Sequence, residues 1–263
     1  YRNFINYHWK IKWNLYILER LFNMTNLKYV ERFSEVIQSI DSTQGEKIKE
    51  AAKLCAQAIN NGNMVHLFGS GHSVLPIQDM FPRYGGVVGF HPLMDPRLMW
   101  SNVIGPGGAR ELLWIERQEG YIRNFLQSFT FHEGEVMIVY SHGGLNAAPI
   151  EVAMYAKQKG MKVVAITSED NYKKAQPIHS SGNKLGDVAD IIISNCCPLE
   201  DALVSIPGYP QPVGGSSTVA AMVITQCIAS ETALELQKMG HEMFIFVSPN
   251  VTEVPADYMN QVY

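Results

Sequence analysis

Short apolar runs alternate with helical stretches along most of the chain. Six of these runs are predicted as strands: 64–68, 87–90, 136–140, 163–167, 191–193 and 244–247. Most are separated by segments in which apolar residues recur at the spacing of one helix face. Buried strands with little polar alternation, joined by helices, are typical of a parallel sheet covered on both sides. The pattern predicts an α/β fold, a three-layer α/β/α sandwich around a mostly parallel five-stranded sheet.

Two helices are predicted ahead of this sheet. Apolar residues recur at helical spacing from Leu27 to Ile40 and again from Ile48 to Ile59. The polar segment 41–45, which ends in Gly45, predicts a break between them.

Residues 1–23 differ from the rest of the chain. They contain four basic residues and one acidic residue, a net charge of +3, and seven aromatic residues. We interpret 1–23 as a non-native or upstream-translated leader, with a membrane-surface helix as the alternative. Residues 24–263 are expected to form a single domain with an N-terminal helical extension.

Composition narrows the classes of function. With 21 basic and 25 acidic residues the net charge is −4, and 46% of the residues are hydrophobic. These values exclude a disordered chain and give no basic excess for nucleic acid. No apolar run approaches the roughly 18 residues of a membrane helix. Four cysteines without metal-binding spacing favour a reduced, cytoplasmic protein. We therefore expect a pocket for a small molecule, with neither nucleic acid nor membrane as a partner.

Three loops carry glycines and hydroxyl groups where a strand or turn leads into a helix. In a parallel α/β sheet, ligands bind beyond the carboxyl ends of the strands, and helix N-termini attract anions. We expect the three loops to converge on one phosphate, although Ser216 or Ser217 alone is also explained as a helix N-cap. The candidate binding residues are Ser70, Gly71, His72 and Ser73 in the first loop, Ser141, His142, Gly143, Gly144 and Asn146 in the second, and Ser216, Ser217 and Thr218 in the third.

Other known loop motifs do not fit. A dinucleotide fingerprint needs glycine at position 74 and an acid after the second strand, where this chain has Val74 and His91. A hydrolase nucleophile elbow needs glycine at position 75, which is Leu75. A nucleotide-dependent oxidoreductase is therefore a remote alternative, and we expect no cofactor.

The first loop has the pattern G-S-G-H-S and resembles that of sugar isomerase (SIS) domain proteins. Within that family it is similar to a bacterial branch of single-domain phosphosugar-binding proteins related to phosphoheptose isomerase. The resemblance runs from Leu27 to the C terminus. It implies the flavodoxin-like SIS fold, and it places the family's phosphosugar-binding serine at Ser73. The family's second loop is commonly S-x-S-G-x-T. Ser141 and Gly144 match it, whereas Gly143 and Asn146 replace the second serine and the threonine.

Proton transfer in a sugar isomerase needs a carboxylate or an imidazole. The resemblance implies paired glutamates after the first loop, but this chain has Gln78 and Asp79. Residues 116–120 of this chain also resemble an E-R-x-E-G stretch of the family. Glu116 and Glu119 are three apart on a predicted helix, which would place both on one face, and Glu119 is expected to enter the cleft. The catalytic candidates are Glu119, Glu116, His179 and Asp79, with His72 and His142 as further imidazoles in the phosphate loops.

These features predict a protein that binds a phosphorylated sugar or amino sugar and catalyses its isomerisation or a related elimination. The alternative is a non-catalytic protein that senses a phosphosugar. No two loop histidines share a helix face, so we expect no metal site. The Met- and Ala-rich stretch 220–233 is apolar on more than one face and predicts a homodimer or higher homo-oligomer.

Overall fold

The computed structural model describes residues 27–80, 83–99, 108–248, 250, 254–255 and 257–263, so the predicted leader, 1–23, lies outside the described residues. A five-stranded sheet forms the centre of the domain, in the order β2-β1-β3-β4-β5, and every neighbouring pair is parallel. This confirms the predicted fold class. The strands are β1 (Val65–Gly69), β2 (Phe90–Leu93), β3 (Val136–Tyr140), β4 (Lys162–Thr167) and β5 (Ile191–Ser194).

Helices cover both faces of the sheet. Two short 3₁₀ helices, Gly71–Val74 and Pro96–Leu98, accompany them. The helices are α1 (Lys28–Asn60), α2 (Leu75–Met80), α3 (Gly108–Ile115), α4 (Tyr121–Leu126), α5 (Ala147–Gln158), α6 (Glu169–Lys174), α7 (Leu185–Val188), α8 (Ser217–Lys238) and α9 (Tyr258–Val262).

The alternation of side chains along each strand divides the core into two layers. Leu67 and Ile138 point into one layer, where they pack with apolar residues of α1 and α8. Phe68 and Val139, one position later, point into the other layer with residues of α4 and α5. Both faces of the strands are therefore buried, which is why their sequences show little polar alternation.

Two predicted strands differ in the structure. Gly89, at φ +126°, separates Val87 from the second strand, which runs over Phe90–Leu93 instead of 87–90. The segment 244–247 is not a strand of the sheet, and Ile245 forms a single antiparallel bridge with Val87. The sequence also did not predict a two-stranded antiparallel hairpin, β6 (Ala202–Val204) and β7 (Val213–Gly215), that precedes α8.

The predicted break at 41–45 is wrong, because α1 continues through it. The hydroxyls of Ser42 and Thr43 donate back to the carbonyls of Gln38 and Ser39, at 2.7 and 2.6 Å, so the polar side chains are satisfied within the helix. Gln44 is buried, and its Oε1 accepts a hydrogen bond from the backbone N–H of Ser194 at the end of β5. This tertiary contact outweighs the local helix-breaking signal.

Replacing Gly45 by Ala is expected to stabilise the protein. No heavy atom lies within 4 Å of the Cβ that alanine would add. A glycine in a helix interior costs about 0.5–1 kcal/mol relative to alanine, so the free energy of unfolding should rise by about that amount. Urea unfolding followed by circular dichroism measures the change. An unchanged or lower free energy would mean that α1 is interrupted at this point in solution.

In the described part of the chain, α8 is the one helix long and apolar enough to cross a membrane by length and composition, and 44% of its apolar window is buried inside the protein. It makes its most extensive contacts with α1, and Ala220, Ile224 and Ile228 lie in the core. Core helices of soluble proteins meet the same length and composition criterion.

Candidate functional site

One small cleft lies at the carboxyl edge of the sheet and receives side chains from all three predicted loops. Its volume is about 230 Å³ including the mouth. Ser73 comes from the first loop, Ser141 and His142 from the second, and Ser217 and Thr218 from the third. The remaining lining residues are Tyr140, Ile166, Asn195 and Ala221. The described structure thus brings together three chain segments that are far apart in sequence.

The first loop turns sharply because Gly69, the last residue of β1, lies against the backbone of residue 73. A Cβ at Gly69 would lie 2.3 Å from the carbonyl oxygen of Ser73. Gly71 has φ +60°, and the N–H of Ser73 donates to the carbonyl of Ser70 at 3.1 Å. This tight turn places Ser73 in the cleft.

The second loop is closed by its own serine. Ser141 Oγ accepts a hydrogen bond from the N–H of Gly144 at 3.1 Å, and Gly144 has φ +64°. Helix α5 begins directly afterwards at Ala147, so its unpaired N–H groups face this loop. The loop therefore presents a hydroxyl and partial positive charge to the cleft.

A segment that was not predicted from the sequence borders the cleft through Asn195. We call residues 195–201, between β5 and β6, the strap. Asn195 Nδ2 lies 3.0 Å from His142 Nδ1, and the Leu199 carbonyl lies 3.3 Å from His142 Nε2. The hydroxyl of Ser168 donates to the carbonyl of Cys197 at 3.3 Å. His142 is thus held mainly by the strap.

The strap ends in a carboxylate that sits on the third loop. Asp201 Oδ1 accepts from the N–H and hydroxyl of Ser216, both at 3.0 Å, and from the N–H of Ser217 at 2.5 Å. Asp201 Oδ2 accepts from the hydroxyl of Ser217 at 2.6 Å. Burial opposes ionisation, yet these hydrogen bonds lower the pKa of Asp201 below its ordinary value. Asp201, rather than Ser216 or Ser217 itself, caps α8.

Glu116 joins the first and second loops. Its side chain is buried, with the residue 5% exposed. Ser70 Oγ donates to Oε2 at 2.6 Å, and Asn146 Nδ2 donates to Oε1 at 2.7 Å. Burial raises the pKa of Glu116, and the hydrogen bond from Ser70 partly offsets this rise. The carboxylate is therefore fixed by donors from both loops.

The prediction that Glu116 and Glu119 share a helix face is wrong. Helix α3 ends at Ile115, so both glutamates lie in the turn before α4. Glu116 points inward, whereas the side chain of Glu119 is 40% exposed. Glu119 accepts hydrogen bonds from the N–H and the hydroxyl of Ser180, and these lower its pKa.

His179 lies beside Glu119 rather than in the cleft. Its Nδ1 accepts from the N–H of Ser181 at 3.1 Å, and its Nε2 lies 3.7 Å from Glu151 Oε1 and 3.9 Å from Glu119 Oε2. His179 and Glu151 are both buried, and His179 Nε2 and Glu151 Oε2 have no hydrogen-bond partner among the described residues. Together these groups hold the loop at 179–181 against the turn that carries Glu116.

Other candidates lie outside the cleft lining. Asp79 pairs with Arg83 at 2.5 Å and accepts from Gln226 Nε2 at 2.8 Å, on the side of α8. His72 is exposed, and Gly143 is half-buried. Asn195 and Asp201 were not predicted as site residues because neither belongs to a recognisable motif, and both reach the site through the path of the strap.

Comparison with known proteins identifies the family. The family model described as SIS domain matches residues 28–168. A UPF0309 protein of Caldanaerobacter subterraneus subsp. tengcongensis is 35% identical over 226 residues, which cover 85% of this chain and 90% of that protein. A UPF0309 protein of Listeria innocua is 33% identical over 236 residues, covering 89% and 92%.

Solved structures share the fold at low identity. The phosphoheptose isomerase of Neisseria gonorrhoeae matches with a TM-score of 0.54 and 15% identity, covering 83% of this chain and 99% of that one. The phosphoheptose isomerase of Francisella tularensis matches with a TM-score of 0.51 and 15% identity, covering 82% and 97%. With the parallel sheet and the family match, these findings show that the chain belongs to the SIS domain family.

Proposed function

We propose that the protein binds a phosphorylated sugar or amino sugar in the cleft and moves a proton between adjacent carbons of the sugar, with Glu116 as the base. The observation that carries the proposal is the convergence of Ser73, Ser141 and Ser217 on one cleft, with Glu116 held by Ser70 and Asn146 of the first two loops. Membership of the SIS domain family and the phosphoheptose isomerases of similar fold support sugar-phosphate binding.

The cleft suits a phosphate through hydroxyl and N–H groups. None of its lining residues in the described part of the chain is Lys or Arg. The attraction for an anion would come from Ser73, Ser141, His142 and the N-termini of α5 and α8. A sugar held by its phosphate at these loops would extend over Ser70 and Asn146, whose side chains hold Glu116.

Glu116 has the properties of a base for an aldose–ketose isomerisation. Its carboxylate would remove the proton from the carbon next to the carbonyl and return it to the former carbonyl carbon of the enediol. The carbonyl oxygen would take up a proton and the adjacent hydroxyl would give one up, so that no group is gained or lost. Burial raises its pKa, which strengthens it as a base near neutral pH. Glu119 lies in the same turn as Glu116 and, through its contacts with Ser180 and His179, would position that turn.

One observation favours a non-catalytic sensor as the second candidate function. In the family pattern a glutamate pair follows the first loop, and this chain has Gln78 and Asp79 there. Gln78 is exposed, and Asp79 is engaged by Arg83 and Gln226 instead of facing the cleft. A sensor would bind the sugar phosphate without exchanging its protons.

Both candidate functions require a sugar phosphate to bind in the cleft, and affinity measurements test this requirement. Ser73→Ala and Ser141→Ala should each lower the affinity for a sugar phosphate by about ten- to a hundredfold, because a hydrogen bond to a charged group contributes about 1.5–3 kcal/mol. Titration calorimetry with aldose 6-phosphates and amino-sugar phosphates measures the loss. Ser42→Ala on the exposed side of α1 is the matched control and should bind like the native protein. Equal affinities for all four proteins would contradict the proposal.

Ser70→Ala should move the acid limb of the pH–rate profile to higher pH. The Ser70 hydroxyl stabilises the charged form of Glu116, so its loss raises the pKa of Glu116 further. A base acts in its deprotonated form, and a higher pKa means that activity is lost earlier as the pH falls. Solvent deuterium exchange into the sugar, measured by NMR across pH, gives the profile. A limb that stays in place or moves to lower pH would rule out Glu116 as the base.

We also propose that the protein forms a homo-oligomer and is cytoplasmic. Val219 and Leu234 of α8 are apolar and 40% and 49% exposed. Burial of these residues against a second copy would extend the apolar packing of α8.

A further inference from the structure

The strap places a negative charge where the proposed ligand would bring its own. Asp201 takes four hydrogen bonds from Ser216 and Ser217, and Ser217 also lines the cleft with Ser73 and Ser141. A phosphate in this cleft would seek the same N–H and hydroxyl donors. Because no Lys or Arg lies among the described lining residues, no permanently charged cation there would offset the repulsion between this half-buried carboxylate and a phosphate.

The cleft is also too small for a sugar phosphate while Asn195 of the strap forms part of its wall. Without the open mouth its cavity volume is about 10 Å³, far below the roughly 300–1,000 Å³ of typical small-molecule pockets. Asn195 is part of its wall, and Leu199 contacts His142 at its edge. Moving the strap away would enlarge the cleft, leave Asn171 as the contact of the His142 ring and free the third loop from Asp201.

The strap is held in a strained form by these contacts. Cys196 and Asp201, at φ +55° and +54°, are the two non-glycine residues with positive φ in the described part of the chain, and both belong to the strap. Such backbone conformations cost of order 1 kcal/mol or more each and persist only where surrounding contacts impose them. Release of Asp201 would let the strap relax, which lowers the cost of opening.

We infer that the strap is an internal competitor of the ligand: the Asp201 carboxylate occupies the anion-binding donors of the third loop, and a phosphate binds only when the strap moves out. This inference rests on the proposed function, since it assigns a regulatory contact to the same cleft. The apparent affinity of a site that is open in only a minority of molecules is reduced by that fraction. Weakening the Asp201 contact should therefore tighten phosphate binding.

Inorganic phosphate is the probe for this competition. Asp201→Asn keeps the size of the side chain and one acceptor oxygen but removes the charge. If the native strap is open in a tenth of the molecules or fewer, this variant should bind phosphate about tenfold more tightly or better in titration calorimetry. Glu200→Gln removes the same charge from the exposed neighbouring position of the strap and should bind like the native protein. An affinity of Asp201→Asn equal to or lower than that of Glu200→Gln would overturn the inference.

Hydrogen exchange on the native protein gives a second readout that needs no variant. Saturating phosphate should speed exchange of the amides in 195–201 and slow exchange in the first and second loops. Phosphate could instead slow exchange in the first and second loops and leave exchange in the strap unchanged or slower. That result would support the proposed function and contradict the competition between Asp201 and phosphate. If neither the native protein nor Asp201→Asn binds phosphate, both fail. If only Asp201→Asn binds, both are supported.

Discussion

Glu116→Gln is expected to slow proton exchange on a bound sugar phosphate by about 10²–10⁴-fold, the usual contribution of a general base. The amide has nearly the same size but cannot accept the proton at neutral pH. Ser70 and Asn146 would keep the side chain in place, so affinity for the sugar phosphate should change little. NMR detection of deuterium at the exchanging carbon measures the rate, and calorimetry measures the binding.

Glu111→Gln is the matched control for this result, since Glu111 is an exposed glutamate of α3, five residues before Glu116. It should exchange protons at the native rate. Glu119→Gln should have a smaller effect than Glu116→Gln, because Glu119 acts through Ser180 on the position of the turn. Full exchange in Glu116→Gln would remove Glu116 from the mechanism. Tight binding with no exchange in the native protein would identify a sensor.

Glu116→Gln should not lower the stability of the folded protein. Burial raises the pKa of Glu116 in the folded protein above its value in the unfolded chain. The ionised carboxylate therefore costs folding free energy, and the stability present at low pH is lost as the pH rises through the raised pKa. Glu116→Gln should unfold at the same temperature as the native protein or higher at neutral pH, which separates lost chemistry from lost structure.

Gly69→Ala is expected to damage both stability and binding. The added methyl group would lie 2.3 Å from the carbonyl oxygen of Ser73, and the atom it meets belongs to the backbone. Either β1 or the first loop must move, at a cost of about 1–3 kcal/mol in the free energy of unfolding. Because the movement displaces Ser73 from the cleft, affinity for a sugar phosphate should fall by about tenfold or more.

Gly143→Ala provides the stability control for this substitution. Gly143 lies in the second loop, with no heavy atom within 4 Å of its Cβ position. Its free energy of unfolding should stay within about 0.5 kcal/mol of the native value. Native affinity in Gly69→Ala, measured by calorimetry on folded protein, would show that the first loop does not bind the ligand.

The sequence predicted the sheet because burial on both faces leaves a local signature. The apolar runs that become β1, β3, β4 and β5 need no knowledge of their partners. The loops could also be predicted locally, because glycine and hydroxyl residues at a helix N-terminus indicate anion binding without knowledge of distant partners. Helix α1 was divided wrongly because Gln44 gains its partner, Ser194, only through tertiary contact.

The site was less predictable because it depends on distant partners. The spacing of Glu116 and Glu119 favoured Glu119 beside Gly120, yet the end of α3 at Ile115 turns Glu116 inward to Ser70 and Asn146. No local pattern reports that contact. Asp201 resembles any exposed acid of a loop, and only the path of the strap brings it to Ser216 and Ser217.

A crystal structure of the protein with a saturating sugar phosphate tests the central claim most directly. We expect the phosphate to lie within hydrogen-bonding distance of Ser73, Ser141 and Ser217, with the sugar extending toward Glu116. A phosphate bound at any other place on the molecule, with the cleft empty, would contradict it.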